Sequence, residues 1–148
     1  MRKIHILLST LCLSIVLGQY DYSLVDINSS SDFSGEDVGT SYFEGEVTLH
    51  YFGHYNWGTC TARFGQLNDL LEELESSGYD RVKLIGVGKS QHMNYLGNWI
   101  NENDAPVCAD GTGNPTWSGW GAAQRDLFVL DYQGNLVLHQ NVTSGLPF

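Results

Sequence analysis

Residues Val47–Phe52 read Val-Thr-Leu-His-Tyr-Phe, apolar or β-branched on both parities. That pattern suits a strand covered on both faces, as parallel strands are. A different period follows. Phe64, Leu67, Leu70, Leu71 and Leu74 recur at steps of three and four, with Asp69, Glu72, Glu73 and Glu75 between them. This spacing predicts an amphipathic helix. Gly78 predicts its stop, since glycine takes the left-handed conformation after a last turn at little cost. Residues 82–87 predict another buried strand, and Ser90 reads as the cap of a second helix with Met93, Leu96 and Ile100 on one stripe, ending near Asn103. Residues 105–108 form a short extended piece and 111–120 a Gly/Trp loop. Residues 127–130, the turn 131–134 and 135–139 make a hairpin. Ahead of all these, residues 20–27 predict a short strand, and 28–40, rich in Ser, Asp and Gly, a loop. Strand, helix, strand, helix and hairpin in that order imply an α/β domain with a mixed central sheet flanked by helices.

The first residues follow another grammar. Arg2 and Lys3 precede an apolar run to Leu17, and Val16 and Gly18 supply small residues at the −3 and −1 positions of a cleavage site. Residues 1–18 are therefore expected to be a signal peptide, too short for a membrane span, leaving one domain of residues 19–148 in a secreted or periplasmic setting. A lipoprotein reading would acylate Cys12, but Leu11 before it is a poor fit. Cleavage removes Cys12 and leaves Cys60 and Cys108, a pair in a compartment where disulfides persist. With seven basic and 17 acidic side chains the net charge is −10, which argues against a coat for nucleic acid or anionic lipid. Contact with membrane is expected only during export.

Chemistry is expected in the turn from the first buried strand into the long helix, where Trp57-Gly-Thr-Cys60 stands. The element order resembles the thioredoxin-like superfamily, whose enzymes place Cys-x-x-Cys, or selenocysteine in its first position, at this junction. The unpaired amides and partial positive charge of a helix N-terminus stabilise a thiolate or selenolate there. Gly58-Thr59 followed by Phe64, Gln66, Leu67, Asn68 and Leu70 is similar to the segment after selenocysteine in glutathione peroxidases. The run from Cys60 to Tyr79, with Pro106-Val107, Asp126 to Leu130, Asp131 to Gly134 and Gly145 to Phe148, resembles the N-terminal domain of the selenoprotein P family. Residues 125–131 are similar to the peroxiredoxin stretch in which an arginine sits beside the peroxide site, which implies that role for Arg125. Thioredoxin-like folds carry one more helix after the hairpin. Here the sequence given stops at residues 145–148, directly after the hairpin, so one sheet face is expected to be partly uncovered, as in a fragment or a chain whose partner covers it.

The departure falls on Trp57, which carries no nucleophile. Three readings stand. The chain is a redox-inactive relative that kept the scaffold for binding. Or position 57 is selenocysteine, since UGA differs by one base from the tryptophan codon. Or Cys60 has taken over, with Cys108 as its partner. For Cys60 the plain alternative is an inert packed thiol. For Cys108 it is a structural disulfide to Cys60 or a free buried thiol, and for Arg125 a surface ion pair. The absence of a proline where thioredoxins carry a cis-proline speaks against a general disulfide reductase. His50, His54, His92 and His139 match no metal-ligand spacing. His50 reads as a core histidine, His54 as a candidate proton carrier, and Trp117 and Trp120 as aromatic packing over the sheet edge or the lining of a substrate groove.

The resemblance thus implies an exported thiol or selenol oxidoreductase that reduces peroxides or disulfides. Position 57 is its nucleophile slot, Cys60 its resolving thiol and Arg125 its anion stabiliser. Electrons come from an external thiol, with no organic cofactor and no metal. The alternative is an exported binding module with Trp57 plugging the site.

Overall fold

The computed structural model describes residues 18–148. The expected signal peptide lies outside the described residues, apart from Gly18. Two short strands open the fold. β1 (Leu24–Val25) and β2 (Asp37–Val38) form a small antiparallel pair, and β3 (Val47–Phe52) starts the main sheet. There follow α1 (Gly58–Ser76), β4 (Val82–Lys89), a 3₁₀ turn (Ser90–Tyr95) and α2 (Gly97–Ile100). β5 (Val107–Asp110), α3 (Pro115–Trp120), β6 (Asp126–Leu130) and β7 (Leu136–Asn141) complete the chain. The five-stranded sheet has the order β5-β4-β3-β6-β7. β3 pairs parallel with β4, and β4 with β5, while β6 and β7 run antiparallel. This is the mixed sheet the sequence pattern implies.

The two-sided apolar character of β3 is used on both faces. Leu49 and Tyr51 pack with Phe64 and Leu67 of α1, and with Leu84, Trp99 and Leu127. On the other face Phe52, Ile85, Val87 and Phe128 pack beneath Trp117 and Trp120, with Tyr20, Tyr22 and Leu24 closing the layer. α1 ends as its sequence predicts. Gly78 has φ +89°, its N–H donates to Glu75 O at 2.9 Å, and the N–H of Tyr79 donates to Leu74 O at 2.9 Å.

Three expectations change. The strand foreseen over residues 20–27 shrinks to Leu24–Val25, because the chain next turns to tie itself to β5. Asp26 Oδ1 there accepts the Val107 N–H at 3.0 Å, and Ile27 N–H donates to Val107 O at 2.8 Å. The second helix becomes a 3₁₀ turn plus one α turn, and Ser90 makes no capping hydrogen bond. Its anchor is not Met93, which is exposed, but Trp99, fully buried and stacked on Phe64 at 4.6 Å and on Tyr51 at 5.5 Å. Burying a ring of that size contributes about 3–5 kcal/mol, enough to override a weak local period. The Gly/Trp loop contains α3, started by Pro115 in its first turn.

Leu70 and Leu74 of α1, with Leu49, Val129, Leu146 and Phe148, border an open apolar cleft of about 640 Å³. Among the described residues no helix is long and apolar enough to cross a membrane.

Candidate functional site

α1 begins without a side-chain cap. Trp57 is its N-cap residue, with extended backbone, and the first helical hydrogen bond runs from Thr61 N–H to Trp57 O at 3.0 Å. Cys60 therefore sits in the first turn, where amide groups have no intrahelical acceptor. Its side chain is fully buried on the α1 face of the sheet. The indole of Trp57 lies outward, half-exposed, stacked on His54 at 5.3 Å between centroids.

The strand opposite β3 supplies the rest. Phe52 pairs with Asp126, and Arg125 N–H donates to Phe52 O at 2.7 Å, so residues 124 and 125 arrive over the end of β3. Gln124 Nε2 donates to Cys60 Sγ at 3.3 Å, and Arg125 Nη1 lies 3.9 Å from the same sulfur. The guanidinium carbon is 5.9 Å from the centroid of the Trp57 ring. Arg125 thus stands beside both Cys60 and Trp57 at the start of α1.

Arg125 is held in place at a cost. Its φ of +70° lies in the left-handed region that a non-glycine residue occupies only with about 1 kcal/mol or more of strain. Polar contacts hold it there. Its Nε donates to Thr143 Oγ1 at 2.7 Å, and Thr143 Oγ1 donates to Asn141 Oδ1 at 2.6 Å. Asn141 Nδ2 donates to Asp126 Oδ1 at 2.8 Å. Asp126 Oδ2 lies 2.9 Å from His139 Nε2, and the hydrogen bonds from His139, Ala123 and Asn141 outweigh burial to hold its carboxyl below the usual range. Arg63 fixes α1 to the same segment, donating through Nε to Val142 O at 2.8 Å. Gln66 is exposed and accepts from Arg63 Nη1 at 2.8 Å, the solvated role its helix position suggests.

Tyr51 adds a hydroxyl below the sulfur, donating to Cys60 O at 3.3 Å. Burial first, then the charge of Cys60, push its phenol well above the ordinary range, so it stays neutral. Neither Gln124 nor Tyr51 carries a pattern that singles it out in the sequence. Only the β3–β6 pairing brings residue 124 to the thiol.

Cys108 is not brought to this site. Both thiols are free, and Cys108 is buried on the opposite face of the sheet, its Sγ 3.6 Å from Leu24 O. Burial, then Asp26 and Asp37, push its thiol far up. The Cys60–Cys108 bond is therefore not formed, since alternate positions on β5 send Val107 toward α1 and Cys108 away from it. Among the described residues no group of three or more His, Cys, Asp or Glu is placed to hold a metal ion.

No family model matches the chain, and no curated protein matches it. Solved structures do. StoA from Bacillus subtilis superposes with a TM-score of 0.64 at 18% identity, covering 84% of this chain and 89% of that one. The exposed lipoprotein thioredoxin of Streptococcus pneumoniae gives 0.61 at 20% identity, covering 81% and 87%. The thioredoxin domain of a thiol-disulfide oxidoreductase from Bacteroides vulgatus gives 0.61 at 14% identity, covering 81% and 83%. With the parallel β3–β4–β5 core, the antiparallel β6–β7 hairpin and a helix opening beside the one thiol at the carboxyl end of β3, these superpositions identify the chain as having the thioredoxin-like fold.

Proposed function

We propose that residues 19–148 form an exported thiol-disulfide oxidoreductase that works from a single thiol, Cys60. The observation that carries this reading is the pair of donors aimed at Cys60 Sγ, from Gln124 and Arg125, in the first turn of α1. Such donors stabilise a thiolate and are of no use to a packed neutral thiol. In the reaction the Cys60 thiolate attacks a substrate disulfide and forms a mixed disulfide. The displaced thiolate takes a proton from water. An external thiol then attacks the substrate sulfur of the mixed disulfide; the new disulfide leaves as the bond to Cys60 breaks, and Cys60 returns as the thiolate. Peroxide would be reduced by the same sulfur, which becomes a sulfenic acid as the alcohol or water departs, and external thiol would return it. Where codon 57 is UGA, selenocysteine beside Arg125 would be the attacking group and Cys60 the resolving one. The gene read across codon 57 decides that version.

A second reading is favoured by the indole at position 57 and the full burial of Cys60: a redox-inactive module of the same fold. Thiol titration of the folded protein with a chromogenic disulfide separates the two. One equivalent reacting, at Cys60 and not at Cys108, supports the oxidoreductase, and two silent thiols support the module.

Arg125→Gly refines the test. Glycine relieves the left-handed strain, which offsets the lost Thr143 hydrogen bond, so stability in urea is expected to change by less than about 1 kcal/mol. The rate of Cys60 with the same reagent is expected to fall about tenfold or more, as one charge-assisted donor is removed. An unchanged rate would free Arg125 of its role.

A further inference from the structure

At the carboxyl ends of β3 and β4, next to the Cys60 site, lies a small cavity of about 160 Å³ lined by His54, Lys89, His92, Trp117 and Gln124 among others. No acidic side chain lines it. The nearest carboxylates are otherwise engaged. Asp110 on β5 accepts the N–H groups of Gly111 at 2.9 Å and Trp117 at 3.0 Å. Asp126 on β6 accepts the N–H of Ala123 at 2.8 Å and faces His139. The Lys89 ammonium rests 4.3 Å from the centroid of the Trp117 ring, and among the described residues it pairs with no carboxylate. In a chain of net charge −10 an unpaired cation facing a cavity is conspicuous.

The imidazoles of His54 and His92 stack at 3.5 Å between centroids. His54 Nδ1 accepts the Asn56 N–H at 3.1 Å, whereas His92 Nδ1 is shielded from solvent and has no partner. Burial, then the neighbouring His92 and Lys89, hold His54 below the usual histidine range; burial and Lys89 do the same to His92. All of these groups lack a negative charge between them. The Gln124 side chain joins this cavity to the thiol, since it lines the one and its Nε2 donates to Cys60 Sγ at 3.3 Å.

We infer that this cavity anchors the carboxylate of a small thiol-derived substrate, holding it against Lys89 and His92 while its sulfur reaches past Gln124 to Cys60. At about 160 Å³ the cavity has room for a carboxyethyl arm. The inference rests on the thiol-exchange reading and names its substrate class, a carboxylate-bearing disulfide. The Cys60 thiolate attacks one sulfur of that disulfide, the Cys60–sulfur bond forms as the disulfide bond breaks, and the carboxylate-bearing thiolate leaves and takes a proton from water. An external thiol then attacks the sulfur of the arm left on Cys60; a new disulfide forms between them as the bond to Cys60 breaks, and Cys60 returns as the thiolate while the attacking thiol's proton passes to water.

Two measurements on the whole protein test it. Formation of the Cys60 mixed disulfide, followed by mass, is expected to be about tenfold or more faster with dianionic 3,3′-dithiodipropionate than with dicationic cystamine. Lys89→Gln or His92→Gln is expected to bring that ratio close to one. Propionate alone, titrated against the imidazole resonances of His54 and His92, is expected to shift both and raise their midpoints. Equal rates for the two disulfides, or imidazoles unmoved by propionate, overturn the anion site. If neither disulfide reacts with Cys60 while propionate still moves the imidazoles, the anion site stands and the thiol-exchange reading falls.

Discussion

Trp57→Cys is expected to turn this chain into a dithiol disulfide reductase, with insulin reduction by dithiothreitol at least about a hundredfold faster than the parent. The parent has one thiol at the site, so on the proposed reading each mixed disulfide would wait for an external thiol at millimolar concentration. A cysteine at the N-cap of α1, three residues before Cys60, supplies the resolving step within the molecule. Well-placed intramolecular reactions reach effective concentrations of ~10⁵ M, far more than the hundredfold requires. The new thiolate would attack the substrate disulfide, and Cys60 would displace the substrate thiolate and close a 57–60 disulfide, which dithiothreitol reopens. The substitution costs little, because the lost contacts with His54 and Arg125 are worth about 1 kcal/mol together at an exposed position. Mass analysis of the oxidised variant is the check. Two free thiols at positions 57 and 60 after oxidation would mean that the first turn of α1 does not hold them as described.

The second large effect is acid sensitivity. His50 is fully buried in β3, its Nδ1 2.7 Å from the Tyr22 hydroxyl and its Nε2 2.9 Å from Thr48 Oγ1, with Trp120 at 4.7 Å. A neutral ring fits both contacts, with Tyr22 donating to Nδ1 and Nε2–H donating to Thr48. Among the described residues no carboxylate bonds to the ring to support a cation, and burial lowers its pKa from 6.5 to about 3. The unfolded chain therefore binds a proton that the native one refuses, and stability falls as pH drops below about 6.5. At 1.36 kcal/mol per pH unit the loss between pH 7.5 and 5.0 is about 2 kcal/mol, reaching about 4 near pH 3. His54 and His92, also lowered, add to it in the same direction. Asp126, held low, contributes only below the carboxylate range. Urea unfolding at the two pH values is expected to show the loss in the parent. In His50→Gln, less stable at pH 7.5, most of the dependence should be gone. A parent with equal stability at both pH values would contradict the buried neutral ring.

Much of the frame was legible because its signals are local. β3 shows its two-sided burial in six residues, α1 its stripe from Phe64 to Leu74, and Gly78 its stop. The second helix was misread because Trp99 is buried by rings from β3 and α1, which no window around residue 99 contains. At the site, Trp57, Cys60 and Arg125 could be named because each sits in a stretch with a known likeness. Gln124 could not, since an amide beside an arginine carries no pattern until β6 lies antiparallel to β3. The stacked pair of His54 and His92, 38 positions apart in the chain, is made by the parallel register of β3 and β4. The pair of cysteines that the expected cleavage leaves suggests a bond between Cys60 and Cys108 that the pleat of β5 forbids.

The half-exposed indole at position 57 gives the molecule an optical probe at its own site. Trp99, Trp117 and Trp120 are buried, so their emission is blue-shifted and shielded from acrylamide. Trp57 alone emits from a wet environment, stacked on an imidazole whose protonation quenches an excited indole by electron transfer. The red edge of the fluorescence spectrum therefore reports events at Cys60, His54 and Arg125 without any added label.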